Sequence, residues 1–96
     1  MFTWLNKQGV QSDKGFVVQC VARFRIEYRE RDKVIGVYVE HTQLPDGQPS
    51  VSIKSASFER WDGDPSYIVL PQEKQDEMLA NFTDAMEFQG LAVQLY

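Results

Sequence analysis

The sequence predicts an α+β fold: a mainly antiparallel β-sheet, a meander of about five to six strands, with one C-terminal amphipathic helix packed on one face and a short final strand. Three observations predict it. Apolar and polar residues alternate through positions 22 to 40, apolar residues recur at spacings of three and four between positions 75 and 89, and alternation returns in Leu91, Val93 and Leu95. Strands come first, the helix late.

Residues 1 to 15 carry Phe2, Trp4, Leu5 and Val10 among polar neighbours, and part of this segment is expected to pair as an edge strand. Phe16 to Val21 is an apolar run, and Cys20, the only cysteine, is read there as a buried thiol acting as a small hydrophobe. Phe24, Ile26 and Tyr28 then alternate with Arg23, Arg25, Glu27 and Arg29, while Ile35, Val37 and Val39 alternate with Val34, Gly36, Tyr38 and Glu40. A tight turn over Glu30 to Lys33 sets Tyr28 opposite Ile35, Ile26 opposite Val37 and Phe24 opposite Val39, so both apolar faces coincide. A slip of one residue would turn one face to water. The same register sets Arg25 opposite Tyr38 and Arg23 opposite Glu40.

Leu44 to Ser50, with Asp46 and Gly47 between two prolines, reads as a turn. Val51 and Ile53 share one alternation phase and Ala56 and Phe58 the other, which predicts one strand bent by a bulge near Lys54 or Ser55. Trp61 to Pro65 is a second turn, and Tyr67 to Leu70 a short strand. Pro71 suits the first helical position. Gln75, Met78, Leu79, Phe82, Ala85, Met86 and Gln89 form the stripe that must face the sheet, Gly90 is the expected C′ residue, and Leu91 is placed to touch Met86. Phe88 falls off the stripe and needs another partner. The final strand is expected to run parallel to Tyr67 to Leu70 through a crossover.

The 96 residues suffice for one domain, residues 1-96, with a modest core. Apolar residues at 43% and charged residues at 25% place the chain far from the composition of disordered proteins. No apolar run approaches the length of about 20 residues that a membrane span needs, and no basic segment leads into a long apolar one at the start. The expectation is an unexported, cytoplasmic protein that does not engage membrane.

The sequence offers no evident catalytic constellation, and no cofactor or metal is expected. A Cys20/His41 dyad would have to be brought together by the fold, with no supporting motif around either. Asp62, Asp64, Ser66 and Glu73 imitate the spacing of a calcium loop, but Tyr67 stands where that loop needs glycine, and a turn followed by helix N-terminal acids is the better reading. Arg23, Arg25, Arg29, Arg31 and Lys33 are interrupted by Glu27, Glu30, Asp32 and Glu40. With a net charge of -4 and a pI near 4.8, a solvated sheet face is expected rather than direct nucleic-acid binding.

Charge is partitioned unevenly. Residues 1 to 70 hold nine basic and nine acidic side chains, so the whole excess of -4 lies in residues 71 to 96, where Lys74 stands against Glu73, Asp76, Glu77, Asp84 and Glu87. The helix dipole accounts for acids near the start and disfavours Glu87 near the end. Such a face is either a solubility device or a surface that steers a basic protein partner.

Two stretches carry a family resemblance. Arg60-Trp61-Asp62, the Pro-led helix, Asn81-Phe82 and Ala85-Met86-Glu87-Phe88-Gln89-Gly90 before a closing strand resemble a family of small bacterial immunity proteins encoded beside polymorphic or contact-dependent toxins. Phe24-Arg25-Ile26-Glu27-Tyr28-Arg29-Glu30 followed by Val37-Tyr38-Val39-Glu40 resembles that family's N-terminal hairpin, and the two stretches cover about half the chain. The family's usual turn residues are replaced here by Asp62-Gly63-Asp64-Pro65. The resemblance implies non-catalytic neutralisation of a cognate toxin, many such toxins being basic nucleases, with no small-molecule substrate. Joined to the acidic face, it points to Glu73, Asp76, Glu77, Asp84 and Glu87 as contact residues and to Trp61 or Phe88 as an apolar anchor, with Trp61 reading equally well as a core residue. The alternatives are a phage or accessory structural module that self-associates through a sheet edge, and a small enzyme using the acids. The sequence leaves monomer against dimer open.

Overall fold

A computed structural model describes residues 1–96. Five strands, β1 (Phe2–Asn6), β2 (Gly9–Ser12), β3 (Phe16–Ala22), β4 (Arg25–Glu30) and β5 (Lys33–Tyr38), form an antiparallel meander in that order. Three more, β6 (Glu40–Gln43), β7 (Pro49–Ile53) and β8 (Ala92–Leu95), form a second sheet in which β6 and β7 are antiparallel and β7 and β8 parallel. The single helix α1 (Gln72–Phe88) lies between β7 and β8 in the chain. The α+β class, the antiparallel meander, the one C-terminal helix and the closing strand are therefore as expected, and the strands divide between two sheets.

The β4/β5 hairpin has the expected register: Tyr28 faces Ile35, Ile26 faces Val37 and Arg25 faces Tyr38. Its two-residue turn holds Arg31 at φ 56, the positive angle that lets a short turn follow the right-handed twist of the strands. At the other end the register stops earlier than the alternation suggests. Arg23 and Phe24 are used up in the turn between β3 and β4, so Phe24 is exposed, set against Tyr38 and beneath the Arg23 guanidinium rather than in the core. Val39 keeps one bond to the Phe24 carbonyl, and the chain then crosses to the second sheet, where Glu40 pairs with Ser52 instead of Arg23.

The 44 to 48 turn forms around Gly47 at φ 89, with the Asp46 carboxylate accepting from the Gln48 amide. The expected bent strand ends at Ile53. Residues 54 to 59 fold into turns that bury Phe58, because Tyr96 takes the backbone groups of Ile53 and Ser55 that a continuing strand would use. Tyr67 to Leu70 is irregular rather than a strand, and β8 takes β7 as its parallel partner instead. The anticipated parallel crossover thus exists with a different first strand.

Pro71 takes the N-cap position with no side-chain cap, and Glu73 supplies the favourable charge in the first turn. At the far end the Leu91 amide donates to the Met86 carbonyl and the Gly90 amide to Glu87, with Gly90 at φ 87, which is a Schellman ending. Met78, Phe82, Ala85 and Met86 are buried and join apolar side chains from both sheets and from the 54 to 61 segment in one core of 16 residues. Phe2 and Trp4 occupy the edge strand β1, the pairing foreseen for the N-terminal segment.

Candidate partner-binding surface

Because the buried stripe turns one side of α1 to the sheets, the opposite side faces water. Glu73, Asp76, Glu77, Asp84 and Glu87 are all exposed there, within an arc of roughly 100° by helical geometry. They differ in how far their charge is answered. Gln72 Nε2 donates to Asp76 Oδ1 at 2.8 Å, and Lys74 Nζ bridges Glu77 at 3.2 Å and Glu30 at 2.8 Å. Burial lowers the Lys74 pKa, but its bonds to the two carboxylates outweigh that and hold it above its ordinary value. Glu73, Asp84 and Glu87 bond to no side chain, and α1 has no basic residue in its last turn.

Glu77, Asn81, Asp84 and Phe88 stand at spacings of four, three and four, forming one row along the helix. At the end of that row Phe88 finds the partner it needed: its ring lies 5.4 Å from Phe2 and 5.7 Å from Trp4. Phe88 is 45%, Trp4 50% and Leu5 46% exposed, so the acidic face runs into an aromatic patch that water still reaches. Trp4 is a surface aromatic that periodicity did not single out. Its alternation with Phe2 on an edge strand, together with the off-stripe position of Phe88, was the available signal.

Of the two readings of Trp61, the anchor is corrected and the core one holds. Trp61 is 7% exposed and stacks on Tyr28 with centroids 6.4 Å apart, so it belongs to the core and offers no anchor to a partner. The next residue holds it there, since the Asp62 amide donates to the Val34 carbonyl and its carboxylate accepts from the Gly36 amide and Arg25. The same bonds use Asp62 as a structural clasp.

The basic hairpin is answered in part on the sheet surface, at Arg25 and Arg29, while Arg23, Arg31 and Lys33 join no ion pair. Glu27 pairs with Arg25 at 3.3 Å and with Arg29 at 3.4 Å. Cys20 and His41 do reach a common cavity of about 230 Å³, yet each is tied to a main-chain carbonyl, the Cys20 thiol to Ala22 and His41 Nε2 to Arg23. Neither bonds the other. Beneath the helix, Asn81 Nδ2 donates to the Tyr28 hydroxyl, which donates in turn to Glu30. Burial, and then the Glu30 bond, push the Tyr28 pKa well above the ordinary tyrosine range.

No helix is long and apolar enough to cross a membrane. Neither protein-family models, nor curated proteins, nor solved structures yield a match to this chain.

Proposed function

We propose that this chain is a non-catalytic immunity protein that binds a cognate bacterial toxin, a basic nuclease, in the cytoplasm and blocks its active site or substrate channel. The observation that carries the reading is the exposed acidic face of α1, on which Glu73, Asp84 and Glu87 bond to no side chain and which ends at the exposed aromatic pair Phe88 and Trp4. Complementary charge speeds encounter and keeps nucleic acid from the same surface. An aromatic side chain on a rigid helix then supplies the desolvated anchor that charge alone does not. Phe88 and Trp4 take this role, in place of Trp61.

The test is to identify the toxin by affinity capture from the native host and to ask whether co-expression of this chain restores growth to cells making it. A stable one-to-one complex that weakens as salt rises is expected. A captured toxin whose toxicity co-expression leaves unchanged would overturn the reading.

A second reading, self-association through a sheet edge, rests on β1, whose Phe-Thr-Trp-Leu-Asn sequence carries no charge. The irregular register between Trp4 and Asn6 blunts that edge. A concentration-dependent oligomer measured by light scattering would favour this reading.

A further inference from the structure

The cavity at the C-terminal end of α1 has a lining unlike the surface around it. Trp4, Val18, Ile26, Met86 and Leu91 supply apolar wall, while Lys7, Gln8 and Gln89 supply polar groups. No carboxylate lines it, although the adjoining helix face carries Asp84 and Glu87. Lys7 brings the one permanent charge and takes part in none of the chain's ion pairs. His41 Nε2 and the Cys20 thiol are occupied by backbone carbonyls, which leaves Nδ1 as the only other nitrogen of the His41 ring at the cavity. The cavity therefore offers an apolar interior and a single unanswered cation.

We infer that this cavity binds a small monocarboxylate, its hydrocarbon part against Trp4, Met86 and Leu91 and its carboxylate at Lys7. Size limits the ligand: a volume of about 230 Å³ holds roughly eight water-sized groups at about 30 Å³ each. A short aliphatic acid fits within it, and a longer chain would project through its open side into water. Charge selects among ligands of that size, since an ammonium would meet Lys7 with no acid beside it, and an alcohol would forgo the charge-assisted bond. The cavity shares Trp4 with the proposed toxin anchor, so ligand binding is measured on the free chain, where its outcome does not depend on whether a toxin binds.

The probes are hexanoate, hexan-1-ol and hexylammonium, added to the full chain and followed by two-dimensional NMR of backbone amides and the two indole N–H groups. Binding in the millimolar range is expected for ligands this small. Hexanoate should shift the Trp4 indole and the amides of Lys7, Gln8 and Leu91 while leaving the indole of buried Trp61 in place. Hexan-1-ol should bind about threefold more weakly, the modest worth of a solvent-accessible ion pair, and hexylammonium more weakly still. Lys7→Gln should bring hexanoate to the level of hexan-1-ol without changing hexan-1-ol itself. Leu91→Phe, which enlarges a wall residue of the cavity, should weaken both ligands. Lys7 is exposed, so the first variant remains decisive even if the second fails to fold. Absence of shifts at Trp4 at tens of millimolar hexanoate, equal binding of hexanoate and hexylammonium, or unchanged hexanoate affinity in Lys7→Gln would each overturn the inference.

Discussion

Arg25 and Asp62, 37 positions apart, meet at 3.1 Å across Gly36, on the outer edge of the five-stranded sheet. The same Asp62 oxygen accepts from the Gly36 amide at 3.0 Å, and the Asp62 amide donates to the Val34 carbonyl at 2.8 Å. Two backbone groups that an edge strand leaves open are thereby satisfied. The closure also ties the Trp61 turn to the sheet, which is why Trp61 is delivered into the core.

The ion pair and the edge closure contribute unequally. Arg25 and Asp62 side chains are 45% and 43% exposed, so their charge attraction is screened and Arg25→Ala should cost less than about 1 kcal/mol. Asp62→Ala also removes the acceptor of the Gly36 amide, and a further loss of about 1 kcal/mol is expected. Urea unfolding of the two variants measures the difference, and equal costs would show that the backbone closure contributes nothing. Gly36→Ala tests the crossing itself. A Cβ there lies 1.9 Å from Arg25 Nη1, so the guanidinium must move, and the cost should shrink when Arg25 is already alanine.

Gly90 ends α1 at φ 87 with open space around its missing Cβ. Gly90→Ala should therefore destabilise through backbone strain alone, by about 1 to 2 kcal/mol. Replacement by asparagine, which tolerates the left-handed region, should cost less. Thermal unfolding of both variants checks the order.

Tyr28 gives the fold a dependence on alkaline pH. Its folded-state pKa is raised by burial and by Glu30, and that of Lys74 is raised by Glu30 and Glu77 against the effect of its burial. For both groups the linked stability is fully present below the unfolded-state values, about 10 for tyrosine and about 10.4 for lysine, and is lost as pH climbs above them toward the folded values. Tyr28→Phe should flatten this alkaline decline. At neutral pH the same variant should cost about 1 to 2 kcal/mol, because Asn81 and Glu30 lose their shared partner. Denaturant midpoints between neutral pH and strongly alkaline buffer give both numbers, and an unchanged alkaline slope in the variant would exclude Tyr28 as its source.

What the sequence made legible follows from how local each constraint is. The β4/β5 hairpin was readable because Ile26, Tyr28, Ile35 and Val37 can share a face in only one register. The helix was readable because Met78, Phe82, Ala85 and Met86 repeat at its period and Gly90 stops it. The change of sheet at Val39 left no mark in the alternation, since Val39 stays buried whichever strand its neighbours pair with. Trp61 was ambiguous for a related reason: a large apolar residue in a turn reads the same whether a tertiary clasp such as Asp62 turns it inward or leaves it outside. The outward acids were visible from charge partition. Trp4, by contrast, joins Phe88 only through contact between the two ends of the chain.

That contact separates anchoring from steering in the proposed complex. Phe88 is 45% exposed and packs its ring against Phe2 and Trp4, so Phe88→Ala should cost the free protein only about 1 to 2 kcal/mol, well below a fully buried phenylalanine. In the complex the same side chain is the expected hot spot, and its loss should weaken toxin binding by about 2 kcal/mol or more, chiefly by faster dissociation. Asp84→Lys together with Glu87→Lys should act on the other rate. Both side chains are exposed and bond to no other side chain, so reversing them leaves the fold intact and slows association, with the effect fading as salt is added. Stopped-flow mixing and dissociation by competition distinguish the two behaviours. If Phe88→Ala alters only association, or the double reversal alters only dissociation, the division of labour along this helix face is wrong, even though the complex forms.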